Sequence, residues 1–360
     1  MESYINLDQN MVVSSSIGNV DVVWYDVRRA PLTLHGFNRP QEEPYFHRLP
    51  EDVGEATSPS VAKLQKESAG GRVRFSTDSP FIAIRAKYRV VGRSSHLTLV
   101  SSAGFDLYED GPFGSRYVRE FRMPYDMTDR YEQIIQLPRA GLRAYTINFP
   151  VHSVVETLEV GLAPRAQLAE GAKYRDIPQI VFYGSSIVHG TAASRPGLLY
   201  ENYISRALNM DYINLGFSGH AMGEQAITRY MTTLPMSVFV CDYDHNSPSP
   251  EYLNETHYPM YETFRAALPE MPYLMITRPN YYTSESAEGT VMARRDIILR
   301  SYLKAREAGD RNVYLLDGTA FFADEHLYDC TMDHVHPNDL GFLRMAQGIG
   351  TVIRHILEQR

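Results

Sequence analysis

Residues 177–190, IPQIVFYGSSIVHG, decide how the chain is read. The apolar run Ile180 to Tyr183 is too short for a helix and suits a buried strand; it ends in Gly184, Ser185 and Ser186. Helical spacing follows in Tyr200, Tyr203, Ile204, Ala207 and Leu208, and a second short apolar run, YINLG at 212–216, comes after it. Strand, helix, strand is the grammar of a parallel sheet. It continues in SVFVCDYD (237–244), PYLMITRP (272–279) and NVYLLDG (312–318), with helical stretches near 252–268, 290–308 and 340–357. The spacing predicts a three-layer, flavodoxin-like α/β domain with a mainly parallel sheet. Ligands of such sheets collect at the carboxyl ends of the strands, so the polar residues found there are the candidates for chemistry.

Upstream the period changes. Ile82, Ile84, Ala86 and Tyr88 alternate with polar residues, as do Tyr145, Ile147 and Phe149, and turn-forming stretches such as TDSP (77–80) and VVGRSS (90–95) separate the runs. Short strands with few convincing helices predict an antiparallel β-sandwich of jelly-roll type. The polar segment 163–176, APRAQLAEGAKYRD, reads as a boundary, which divides the chain into residues 1–168 and 172–360.

Composition narrows the function classes. A formal net charge of -8 argues against a polyanion held by charge, so no nucleic-acid partner is expected. No segment approaches the apolar length of a membrane span, and the N-terminal stretch MESYINLDQNMVV lacks the pattern of a secretory leader, which together predict a cytoplasmic protein without a membrane partner. A homo-oligomer is compatible with the composition. Cys241 and Cys330, the only cysteines, read as buried thiols rather than a disulfide.

Four features stand at strand ends. Ser186 follows the first strand, where a turn into a helix would expose its hydroxyl. Gly216 closes the second, where a glycine lets a backbone N–H approach a ligand. Asn246 follows the third and offers a side-chain amide. Asp333 and His336 precede the last helix, with a spacing that lets a carboxylate accept from an imidazole. Each alone has a plainer reading, as a turn residue or an Asx-turn. Asp333, His334 and His336, with Asp324 and His326, also offer metal-ligand atom types, but their spacing matches no common zinc pattern, so no metal is expected.

Taken in order, serine, glycine, asparagine and Asp-x-x-His, the set resembles the SGNH (GDSL-like) hydrolase superfamily over residues 177–357. A bacterial subgroup is closer, because GSSIVHGTAASRPG (184–197) is similar to its nucleophile block and Gly104-Phe105-Asp106-Leu107-Tyr108 to the Gly-x-Asp-Leu-Tyr motif of its β-rich N-terminal domain. The resemblance implies Ser186 as nucleophile, His336 as base, Asp333 as its orienter, and an oxyanion hole of the Ser186 and Gly216 N–H groups with the Asn246 side chain. It implies no cofactor. Two departures stand: Ser185 replaces the usual Asp, and DYDHN (242–246) replaces Gly-x-Asn-Asp.

By analogy with enzymes of this layout, the expected activity is an esterase cleaving acetyl or other small acyl groups from a carbohydrate. Alternatives are a lipase or thioesterase, and an inactive carbohydrate-binding protein. Arg195 and Tyr108 are candidate substrate contacts. A polar rim of His189, Thr191, Ser194, Arg195, Ser218, His220, Asp244, His245 and Ser247 favours the small acyl group.

Overall fold

The computed structural model describes residues 16–279, 288–323 and 326–359. The N-terminal stretch read for a leader lies outside these residues, as does Asp324.

The first half contributes strands β1 (Val23–Asp26), β2 (Thr33–His35), β3 (Arg72–Thr77), β4 (Phe81–Val90), β5 (Phe105–Gly111), β6 (Gly114–Phe121), β7 (Arg130–Gln136), β8 (Arg143–Asn148), β9 (Val154–Leu162) and β10 (Leu168–Glu170). They form two antiparallel sheets, ordered β1-β9-β4-β7 and β10-β3-β8-β5-β6, with β2 added to β3. Alternation puts Ile82, Ile84 and Ala86 of one sheet in the same core as Val73, Phe75, Leu107 and Ile147 of the other, the inner faces of a sandwich. The polar segment at 163–176 is thus partly a strand, since Leu168–Glu170 pairs with β3. Three short helices were not legible: α1 (Glu51–Thr57), α2 (Pro59–Leu64) and α3 (Leu99–Ala103). Two of them are fixed by N-caps, Ser58 accepting from Val61 N–H and Thr98 from Ser101 N–H, and are too brief to show an apolar period.

In the second half β11 (Ile180–Gly184), β12 (Tyr212–Gly216), β13 (Val238–Asp242), β14 (Tyr273–Ile276) and β15 (Val313–Leu316) form an all-parallel sheet ordered β12-β11-β13-β14-β15. The helices of this half are α4 (Ser186–His189), α5 (Tyr200–Leu208), α6 (Gln225–Met231), α7 (Pro250–Ala267), α8 (Glu288–Glu307) and α9 (Asp339–Glu358). Both faces are covered, which is why the strands read as unbroken apolar runs. Ile180, Phe182, Val240 and Leu274 pack with residues of α5 and α9, whereas Val181, Tyr183, Cys241 and Met275 pack with residues of α6, α7 and α8. Cys241 and Cys330 are both buried free thiols. No helix among the described residues is long and apolar enough to cross a membrane.

Buried polar bonds join the two halves. Arg48, 1% exposed, donates to the carbonyls of Asn214 (3.2 Å) and Gly216 (2.7 Å) at the end of β12 and to that of Leu64 (2.7 Å) in its own half. Arg72 pairs with Asp211 and donates to Tyr212 O. The Gly-x-Asp-Leu-Tyr motif makes a third junction. Asp106 Oδ2 accepts from Arg195 Nη1 and from Gly197 N–H, both at 2.8 Å, while Oδ1 accepts from Asn148 Nδ2 at 2.7 Å. The Tyr108 hydroxyl lies 2.6 Å from Arg195 Nη1, and the Arg195 guanidinium also covers the Tyr117 ring at 3.8 Å. A Cβ on Gly197 would come within 2.5 Å of the Tyr108 ring, so only glycine lets the loop after α4 seat on this motif.

Candidate active site

Ser186 is the first residue of α4, directly after β11. Two close approaches make this turn possible. A Cβ on Gly184 would lie 1.9 Å from Asp242 O, and one on Gly216 would lie 2.1 Å from His189 N, so α4 rests on bare backbone at the ends of β13 and β12. Ser185 caps α4 by accepting from Ile187 N–H at 3.2 Å, and its own N–H donates to Asp242 O. The Ser186 N–H, first in its turn, has no acceptor within the helix.

His336 reaches Ser186 from the loop before α9. That loop is pinned at its neck by Met332 N–H to His336 O (2.9 Å) and Asn338 N–H to Cys330 O (3.0 Å). His334 at its tip has φ 66°, a left-handed turn between Asp333 and His336. Asp333 Oδ1 accepts from the N–H groups of Val335 (3.1 Å) and His336 (2.8 Å), leaving Oδ2 for the ring. His336 Nδ1 lies 2.7 Å from Asp333 Oδ2, and His336 Nε2 lies 2.9 Å from Ser186 Oγ. Serine, imidazole and carboxylate are thus in line, the geometry in which a base can take the hydroxyl proton and a carboxylate can fix the tautomer. Burial pushes the Asp333 carboxyl up, but hydrogen bonds from the His336 N–H and ring outweigh it and hold the group below its ordinary value. Burial pushes Asp242 and Asp244, behind the site, upward, so Asp333 is the acid held in its ionised form.

Two expectations need correction. The Gly216 N–H is not open to a substrate, because it donates to Asn214 Oδ1 at 3.0 Å; this glycine serves the contact with α4. The N–H beside Asn246 belongs instead to Gly219, φ 75°, in the turn after β12. With the amide of Asn246 oriented to suit its neighbours, its oxygen accepts from Gly219 N–H (2.9 Å) and His220 N–H (3.3 Å). The Ser218-Gly219 pair was the visible signal for that turn. Second, Arg195 and Tyr108 meet Asp106 at the junction of the halves, and Tyr108 is buried, so both are joining residues rather than substrate contacts. The expected polar rim thins for the same reason. His189, Thr191, Asp244 and Ser247 are buried, and Ser194 is held by Asp339 through its N–H and hydroxyl, which leaves Ser218, His220 and His245 half-buried.

Residues 178–354 match the model of the GDSL-like lipase/acylhydrolase family, and residues 22–168 match the N-terminus of the SGNH-hydrolase-type esterases that carries the Gly-x-Asp-Leu-Tyr motif. The chain belongs to the GDSL-like lipase/acylhydrolase family. It is a carboxylic ester hydrolase with the family's two-part layout. A protein from Bacteroides ovatus, described as a GDSL-like lipase, shares 26% identity at a TM-score of 0.85, covering 94% of this chain and 98% of its own. The salicylyl-acyltransferase SsfX3 of a tetracycline biosynthetic pathway has the same fold at a TM-score of 0.76 and 21% identity, covering 94% of this chain and 99% of its own. An acetyl xylan esterase from the rumen bacterium Butyrivibrio proteoclasticus shares the fold at a TM-score of 0.59 and 10% identity, covering 94% of this chain and 99% of its own. A comparison with curated proteins finds no match.

Proposed function

We propose that this GDSL-like hydrolase is a serine esterase removing small acyl groups, acetyl foremost, from a carbohydrate. The observation that carries the reading is the alignment of Ser186, His336 and Asp333. Ser186 Oγ attacks the ester carbonyl while His336 Nε2 takes its proton; the same nitrogen then returns the proton to the departing alcohol. Water, activated by His336, repeats the step on the acyl-enzyme. Asp333 holds Nδ1–H and stabilises the imidazolium. Ser186 N–H and the Asn246 side-chain N–H serve the oxyanion, while Gly219 N–H, which donates to the Asn246 side-chain oxygen, positions that amide.

Asn246→Ala is therefore expected to lower kcat about 100-fold with little change in KM, because a donor aimed at the developing oxyanion acts mainly in the transition state. A rise in KM at unchanged kcat would make Asn246 a binding residue instead.

For the acyl group, the reading rests on the half-buried polar groups Ser218, His220 and His245 near the nucleophile, and on a fold shared with an acetyl xylan esterase. A long acyl chain needs a continuous apolar groove, in which each buried methylene contributes about 0.8 kcal/mol. On a series of nitrophenyl esters kcat/KM is expected to peak at acetyl and fall steeply by butyryl. An octanoyl ester cleaved faster than acetyl would transfer the reading to a lipase.

A further inference from the structure

Three residues that the esterase reading does not use converge behind the nucleophile turn. Glu67 follows α2, His152 follows β8, and His189 ends α4, three residues beyond Ser186. Glu67 Oε2 lies 3.2 Å from His152 Nδ1 and 3.1 Å from His189 Nε2, and the three ligand-type atoms all fall within 4.8 Å of one another. The carbonyl oxygen of Val151 is 3.2 Å from His189 Nε2. His189 is fully buried, whereas Glu67 and His152 are partly buried, with side chains 16% and 14% exposed.

We propose that Glu67, His152 and His189 form a divalent-metal site of zinc type. Bonds of 2.0–2.2 Å in tetrahedral array set neighbouring ligand atoms about 3.3–3.6 Å apart, a little beyond the 3.2 and 3.1 Å that separate Glu67 Oε2 from the two ring nitrogens. The donor set, two imidazoles and one carboxylate, is of the class that takes zinc, with the Val151 carbonyl or a water in the fourth position. One outer ring nitrogen is also held as a metal-ligating histidine requires: His152 Nε2 faces Thr191 Oγ1 at 3.2 Å, and that hydroxyl can accept the N–H the ring turns outward once Nδ1 binds metal. His189 Nδ1 faces Ser218 Oγ at 3.0 Å and accepts the Ser218 N–H at 3.4 Å, a bond it exchanges for one to the hydroxyl when Nε2 binds metal. The two hydroxyls in turn lie 3.3 Å apart, closing the ring around the site.

Glu67 and His152 come from the β-half and His189 from the α/β half, so a bound metal ties the turn that bears Ser186 to the sandwich. Its role is to hold the fold together, separate from the ester chemistry. That chemistry needs no metal in the reading above, so the site stands or falls independently of it.

The test is zinc binding by the whole protein, stripped with chelator, dialysed and titrated in a calorimeter. One zinc per chain is expected, with a rise in melting temperature on the order of 5 °C at zinc a hundredfold above Kd. His152→Ala, and separately Glu67→Gln, should each weaken binding at least about tenfold and remove the melting shift, with circular dichroism verifying that both variants fold. Failure of the stripped wild-type protein to bind zinc would overturn the proposal and leave a proton-bridged cluster. Full binding retained by the Glu67→Gln, His152→Ala double variant would overturn it as well, by placing the zinc elsewhere. The wild-type titration decides even where a variant does not fold.

Discussion

Ser186→Ala is expected to lower turnover of a nitrophenyl acetate by at least ~1000-fold, and His336→Ala by a similar factor. The reason lies in the line of atoms from Ser186 Oγ through His336 to Asp333 Oδ2. Without the hydroxyl there is no acyl-enzyme, and without the imidazole nothing removes the proton as the bond forms; what remains is the rate owed to binding and the oxyanion donors. Residues that act as one unit are not additive, so the double variant should be hardly slower than either single one. His334→Ala is a control two residues away, on an exposed turn whose neighbour makes the Ser186 contact, and should lose far less. Steady-state rates for the wild type and the four variants decide the matter. Near-normal turnover by Ser186→Ala or His336→Ala would sink the assignment.

The second large effect is on stability. Asp106→Ala should destabilise the protein by about 3 kcal/mol, the lower end of the range for removing one member of a buried ion pair. Asp106 is fully buried and accepts from Arg195, Gly197 and Asn148, so its loss leaves three donors without their acceptor. The lower end applies because Arg195 is 18% exposed and can turn part of its guanidinium to water. Urea unfolding at constant pH gives the value. An unchanged midpoint and slope would mean that the motif is dispensable to the fold. A normal fold with reduced kcat would instead point to a role in placing the loop after the nucleophile.

Much of this molecule was legible because both faces of the parallel sheet are covered. β11, β12 and β13 read as apolar runs, and α7, α8 and α9 begin and end within two residues of the stretches read from helical spacing. The position of Ser186 was legible for a related reason: the sheet sends the ends of its strands to one edge, and the polar residues there stand out from the runs before them. Asp333 and His336, in the loop before α9, were legible from their spacing and from the resemblance it completes. Hydrogen-bond assignments were not legible. A sequence shows that Gly216 and Gly219 are both present, but not that Asn214 folds back to take the first N–H. Nor does it show that Arg195 meets an aspartate 89 residues earlier, which removed Arg195 and Tyr108 from the substrate list. The short helices of the first half were missed because their caps, and not an apolar stripe, define them.

Arg48 gives the two halves an order in time. It is a residue of the first half, yet its guanidinium holds the carbonyls of Asn214 and Gly216, at the strand end from which the glycine turn departs. Chains leave the ribosome from the N-terminus and tend to fold as units in that order. The sandwich can therefore be complete, with Arg48 in position, before β12 emerges to meet it. The first half then acts as a template built into the same polypeptide. A circular permutant that begins at β11 would reverse this order, its α/β part having to wait for a strap delivered last; slower appearance of ester cleavage during synthesis, with an unchanged final rate, is the result to expect.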